Sequence, residues 1–160
     1  MTTPVGQSPA PTAPRPVSKI LLATDLSSTS ERATDEALEL ATRLGATVLA
    51  VSVIDPRQLR LPGGRYGMRV DQVRTERESA AQGLVARGRR LGVPVTFLIW
   101  EGEPGESIVD AAVAEGADLI VVGSHGRGAV GRVLIGSVSD HVVRNAPCPV
   151  LVVRQSAERA

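Results

Sequence analysis

Five short runs of almost unbroken aliphatic residues punctuate the chain: "KILLATD" from Lys19, "TVLAVSVID" from Thr47, "PVTFLIWEG" from Pro94, "ADLIVVGS" from Ala117 and "PVLVVR" from Pro149. A strand with one face in water alternates apolar and polar side chains. These runs do not alternate, so each is expected to be covered on both faces, as in a parallel sheet between helical layers. Four segments with helical character separate them, and strand, helix, strand in repetition calls for right-handed crossovers. The expected fold class is α/β: a single open five-stranded, mostly parallel sheet with helices on both faces. With one Trp, one Tyr and one Phe among 160 residues, the core must be built from Val, Leu, Ile and Ala. A chain of this length can bury such a core without disulfides or metals.

The intervening segments carry recognisable starts and stops. Ser28 and Glu31 have the spacing of a capping box for a first helix that ends at Gly45, with Ala33, Ala37, Ala41 and Leu44 inward. A second helix is expected from about Asp71 to Leu91, with Val73, Ala80, Leu84, Gly88 and Leu91 inward, and a third across "GESIVDAAVAEG" with Ile108, Val109, Ala112 and Val113 inward. A fourth should run from about Ser137 to Asn145. Between Pro56 and Val70 lie two prolines, three glycines and four arginines, the composition of a surface loop. The first 17 residues, rich in proline and small polar side chains, read as a disordered tail; the domain is placed at 18–155, with a short tail at 156–160.

Several function classes lose support from the totals. A formal net charge of +1 makes no case for bulk binding to nucleic acid or an acidic membrane. One cysteine, Cys148, permits no internal disulfide or cysteine zinc cluster, and its setting between prolines reads as buried and inert. His125 and His141 stand without partners at metal spacing. No basic-then-apolar leader and no long apolar run is present, so the cytoplasm is the expected compartment.

In open α/β sheets ligands bind beyond the carboxyl ends of the strands, where strand order reverses. The residues there include Ala23, Thr24 and Asp25, then Val53 to Asp55, and then the segment "VVGSHGRGAVGRVLIGSVSD" from Val121, which holds five glycines. Three phosphate-binding templates can be laid over it. "GRGAVG" matches the dinucleotide pattern at Gly126, Gly128 and Gly131, but that pattern belongs after the first strand and needs a later acidic residue for the ribose. "GRVLIGS" has the glycine spacing of a P-loop without its lysine; the sole lysine is Lys19. The third template, G-x2-G-x9-G-S through Gly123, Gly126, Gly136 and Ser137, joins a close backbone approach at a strand end to the start of a helix, where free N–H groups face an anion.

With "KILLATDLS", "VSVID", "ADLIVVGSHGRG" and "LIGSVSDHVVRNAPCPVLVV" in this order, the chain resembles the universal stress protein family, and its nucleotide-binding members in particular, from Lys19 to Arg154. The resemblance implies a Rossmann-like fold of the adenine nucleotide alpha hydrolase type. It implies ATP as ligand, with Mg, and with ADP or AMP as alternatives. Asp25, beside Ala23 and Thr24, would contact the ribose or base side, and the backbone of Val53 the adenine edge. Gly123, Gly126, Gly136 and Ser137 would hold phosphates, lined by Ser124, His125, Arg127, Val138 and Ser139, with Arg127 adding charge. Relatives often carry proline before the aspartate, whereas this chain has "LATD", so the resemblance fixes no backbone shape at Ala23.

Other readings stay open for the same residues. Asp25 also suits a cap on the following helix, and Ser137 with Asp140 fits a capping pattern. Arg57, Arg60, Arg65 and Arg69 either close over phosphates or simply solvate a loop. The last strand, Pro149 to Arg154, is a candidate sheet edge, and the resemblance implies a homodimer formed there. The expectation is therefore an ATP-binding regulatory dimer of the stress response with no assigned catalytic residue. The alternatives are a dimerisation module of this fold that binds no nucleotide, and a slow ATPase.

Overall fold

In a computed structural model the protein is described over residues 13–59, 66–124 and 135–155, with 66–68 described by backbone alone. The five aliphatic runs form β1 (Lys19–Ala23), β2 (Thr47–Ile54), β3 (Val95–Glu101), β4 (Leu119–Gly123) and β5 (Val150–Val153). They lie in the order β3-β2-β1-β4-β5, and every neighbouring pair is parallel. Leu21 of β1 stands in register with Leu49 on one side and Ile120 on the other.

The helices are α1 (Glu31–Leu44), α2 (Tyr66–Leu91), α3 (Pro104–Glu115) and α4 (Ser137–Asn145). Ile20 and Leu22 of β1 pack with α1 and α2, while Leu21 and Ala23 pack with α3 and α4. Alternate side chains of one strand thus enter two cores, which explains why the run is apolar throughout. Helices α1 and α3 both end at glycines in the left-handed region, Gly45 at φ 65° and Gly116 at φ 62°. Gly88 of α2 serves another purpose. A side chain there would collide with Val95 and lie 2.8 Å from the Val93 carbonyl, so glycine lets α2 rest on the start of β3.

Several local expectations change. The capping box does not form: Ser28–Ser30 is a 3-10 turn, and α1 begins at Glu31 with no side-chain cap. The Ser30 hydroxyl instead donates to the Ser27 carbonyl at 2.8 Å and accepts from Thr24. Leu44, Leu91 and Val113, expected inward, are 51%, 49% and 63% exposed, because each lies beyond the stripe that meets the sheet. In α2 the inward stripe runs through Val70, Arg77, Ala81, Leu84 and Gly88, so Ala80 faces outward. The supposed arginine loop is also shorter than expected, since a 3-10 turn spans Pro56–Leu59 and α2 already begins at Tyr66.

Candidate functional site at the carboxyl ends of β2, β1 and β4

Strand order reverses between β1 and β4, and the crossovers on either side of that point run on opposite faces. A crevice at the carboxyl ends follows from this topology. Ala23 closes β1. Thr24, 7% exposed, donates its amide to the Val51 carbonyl at 3.0 Å, the last rung of the β1–β2 ladder.

The chain then turns away. Leu26 adopts φ 61°, rare for a leucine, and its amide goes to the Thr24 hydroxyl at 2.9 Å. Carbonyls that face one neighbour recur every second residue along a strand. The next β2 carbonyl toward β1 after Val51 is therefore that of Val53, and the turn at Leu26 takes away the amide that would have reached it. Arg77 fills the place: its Nη1 donates to the Val53 carbonyl at 2.6 Å and to the Ser52 hydroxyl at 3.0 Å. Sequence reasoning missed Arg77, although an arginine within the stripe of Val70, Ala81 and Leu84 was a signal that α2 carries a polar group onto the sheet end.

Asp25 follows β1 and is partly buried at the strand end. Its Oδ1 accepts from the Ser27 amide at 2.9 Å and the Ser27 hydroxyl at 2.5 Å. Burial pushes this carboxyl up, but the Ser27 hydrogen bonds, the Ser30 hydroxyl and the charge of Arg77 together hold it below the usual carboxylate value. The group is thus a fixed anion at neutral pH, anchored through a local turn rather than as a cap on α1. Asp55, past the end of β2, is similarly lowered, first by the Arg57 guanidinium, which reaches both its oxygens at 3.0 and 2.9 Å. Arg57 is thereby tied to its own strand end.

On the β4 side, Ser124 is 6% exposed; its amide donates to the Val153 carbonyl and its carbonyl accepts from the Gly136 amide, both at 2.8 Å. That second bond returns the chain to the strand end where it left. Gly136 is the cap residue of α4, without a side-chain cap, so the helix opens with backbone N–H groups and the positive end of its dipole beside β4. The Ser137–Asp140 capping pattern is not used: Ser137 is the first helical residue and Asp140 pairs with Arg144 at 2.9 Å. Gly136 has φ −60°, open to any residue, so its contribution is the missing side chain.

Ser137 is exposed, Val138 is half-buried against the second core, and Ser139 is buried with its hydroxyl donated to the Gly123 carbonyl at 2.6 Å. Ala23, Thr24, Asp25, Val53, Gly123, Ser124 and Gly136 to Ser139 therefore gather at the ends of three adjacent strands. His125, Gly126 and Arg127, with Gly128 and Gly131 of the rejected dinucleotide pattern and Arg60 and Arg65, lie outside the described residues.

Chemically, the strand ends offer groups of three kinds. A carbonyl left over from a ladder suits an amino group on a base, a fixed carboxylate suits ribose hydroxyls, and an uncapped helix start suits phosphate. Among the described residues no three His, Cys, Asp or Glu side chains gather as a metal site. Cys148 is half-buried rather than buried, and burial with the nearby Asp118 pushes its thiol up, away from nucleophilic use. His141 packs beside Gly105, between α3 and α4. Two open surface grooves lie away from the crevice, one of about 330 Å³ at Val85 and Val95 and one of about 470 Å³ between α1 and α2. Both are outside the switch point, and neither is shaped by it.

A family model described as the universal stress protein family matches residues 16–154. A universal stress protein of Thermus aquaticus is 40% identical over 137 residues, spanning 84% of this chain and 97% of that protein. A solved structure of the Methanocaldococcus jannaschii protein MJ0577 superposes with a TM-score of 0.80 at 30% identity, over 90% of this chain and all of that one. A universal stress protein of Archaeoglobus fulgidus, solved in complex with dAMP, superposes with a TM-score of 0.64 at 28% identity, over 86% of this chain and 98% of that one.

Proposed function

The chain belongs to the universal stress protein family, and from that premise we propose that it binds an adenine nucleotide, ATP, in the crevice at the ends of β2, β1 and β4. The observation that carries this reading is the uncapped start of α4, drawn against β4 by the Gly136–Ser124 hydrogen bond on the side of the sheet end where Asp25 stands. The dAMP complex of the Archaeoglobus relative supports an adenine nucleotide as the ligand class.

In this reading the α4 N–H groups, with Gly123, Gly136 and Ser137, hold phosphate. Asp25 accepts from ribose hydroxyls, and the Val53 backbone meets the base. Ser139 ties α4 to Gly123 and so fixes the distance between helix and strand. Gly126, His125 and Arg127, outside the described residues, are assigned to the phosphate side by the resemblance alone, and any Mg would be carried by the phosphates of the ligand.

Binding rather than turnover is the proposed activity. The sole lysine, Lys19, is at the other end of β1, hydrogen-bonded to the Glu115 carbonyl at 2.8 Å, so no lysine stands where phosphoryl transfer would use one. The nucleotide then acts as a signal in a cytoplasmic stress response, read through a homodimer. The edge strand β5 supports that assembly, with Val150, Leu151 and Val152 only half-buried. At the opposite edge Arg74 donates to the Ile99 carbonyl at 3.2 Å and pairs with Glu101, placing charge along β3.

Equilibrium titration tests the reading. ATP should bind the purified chain saturably and with one site per protomer, and Gly136→Val should remove that binding while leaving the unfolding curve in place. Folded wild-type protein that neither binds nor co-purifies with an adenine nucleotide would refute it.

A further inference from the structure

Arg77 reaches the strand ends, and the proposed nucleotide reading gives it no role. Its guanidinium projects from the inward stripe of α2, and Nη1 lies 2.6 Å from the Val53 carbonyl and 3.0 Å from the Ser52 hydroxyl. Ser52 is 2% exposed, so the contact is made at the floor of the sheet end rather than in open solvent. The carbonyl concerned is the one that β1 abandons when Leu26 turns its amide to Thr24. A partly buried carbonyl that has lost its ladder partner has a strong requirement for a donor. Two donors now have a claim on it: the guanidinium of Arg77 and the exocyclic amino group of a bound base.

We propose that Arg77 is a specificity-determining residue of the nucleotide site, an internal donor that competes with the base amino group for the Val53 carbonyl and so restrains the preference for amino-bearing over keto-bearing purines. The proposal rests on the nucleotide reading and deepens it. Because Arg77 takes the ladder position at the carbonyl, an adenine amino group must share that oxygen through its second lone pair or displace the guanidinium, and so gains less than it would at a bare carbonyl. A purine with a keto oxygen at that edge meets a carbonyl whose negative end is already screened by the guanidinium rather than a bare acceptor, so Arg77 narrows the gap between the two from both sides. Arginine holds this position well, since its planar fork reaches Ser52 and Val53 with one nitrogen from a helix that packs alongside.

The test compares ATP with inosine triphosphate, which carries the same phosphates and ribose but a keto group in place of the amino group. Long-range charge effects of removing Arg77 act on both ligands alike and cancel in the ratio of their affinities. Arg77→Met keeps the apolar stem and removes the donor; the ATP-to-inosine-triphosphate affinity ratio should rise about tenfold, the scale of one hydrogen bond. Ser52→Ala removes the other partner of Arg77 while leaving the Val53 contact, and should keep the wild-type ratio. An unchanged or lower ratio in folded Arg77→Met protein would overturn the proposal while leaving nucleotide binding intact. Were neither nucleotide to bind either protein, the underlying reading would fall with it. If Arg77→Met does not fold, Arg77→Gln serves as the second variant: its shorter side chain carries no charge and falls short of Val53, so the same rise in ratio is expected and the same absence of a rise overturns the proposal.

Discussion

Two aspartates stand at opposite ends of the central strands, and they are held in different ways. At the amino end, one oxygen of Asp118, just before β4, accepts from the Ser18 amide at 2.9 Å, the Ser18 hydroxyl at 2.8 Å and the Lys19 amide at 2.9 Å. These bonds bridge about a hundred residues of sequence and clamp the start of β1 to the start of β4. At the carboxyl end, Asp25 is held by Ser27, two residues away. Both carboxyls lie below their ordinary value, Asp118 through the Ser18 and Lys19 amides and the Ser18 hydroxyl, and Asp25 through Ser27 after burial has pushed it up. The difference lies in what each bond set joins: one closes the fold, and the other fixes the angle of a carboxylate without tying two strands together. Long-range bonds join the strands at one end of the sheet, whereas at the other the bonds are local and the start of α4 carries no side-chain cap.

The widest separation between the two ends should come from Gly136→Val. A side chain at the cap of α4 should lower ATP affinity about a hundredfold or more by blocking the helix start, with the unfolding midpoint near wild type by calorimetry. Loss of both together would mean that the carboxyl end also supports the fold. Asp118→Ala should do the reverse. Removing three charge-assisted bonds there should cost about 1–3 kcal/mol in urea unfolding and leave ATP affinity unchanged. Asp25→Asn keeps an acceptor for Ser27, so stability should hold within about 0.5 kcal/mol while ATP affinity falls about tenfold in titration calorimetry.

Acid should weaken both ends in parallel. Asp25, Asp55 and Asp118 all bind protons less readily in the native state than in the unfolded chain. Their contribution is therefore present above about pH 4, the unfolded carboxylate value, and is lost as pH falls through the lower native values. Urea unfolding at pH 7 and pH 3 should show lower stability in acid, with a smaller difference for Asp118→Ala. The smallest effect on either end should come from Leu151→Arg on β5, which should convert a dimer to monomers in sedimentation without shifting the ATP affinity of each protomer.

Much of this asymmetry could be read from the chain. The five strands announced themselves because burial on both faces leaves no polar alternation to misread, and α4 starts at Ser137 as its glycine and serine suggested. The phase of α2 was hidden because Arg77 occupies an inward position that a hydrophobic pattern skips, which shifted the reading to Ala80. The capping box failed for a tertiary reason. Thr24, at the end of β1, donates to the Ser30 hydroxyl at 2.8 Å, and the serines around it form a 3-10 turn instead. The stripe of α2 could have pointed to the arginine, but its target on Val53 was illegible: that depends on where β1 stops pairing, which is set by a leucine at positive φ, a conformation that no residue preference would assign to it. Elements follow local pattern, whereas the site depends on how three strand ends terminate together.

Backbone amide resonances followed during an ATP titration locate the ligand at one end of the sheet or the other. Asp25, Val53, Ser124 and Ser137 to Ser139 should shift saturably, while Ser18, Lys19 and Asp118 stay in place. Shifts centred on Ser18 and Asp118, on the groove between α1 and α2, or on no residue at all would rule out a ligand site at the carboxyl end.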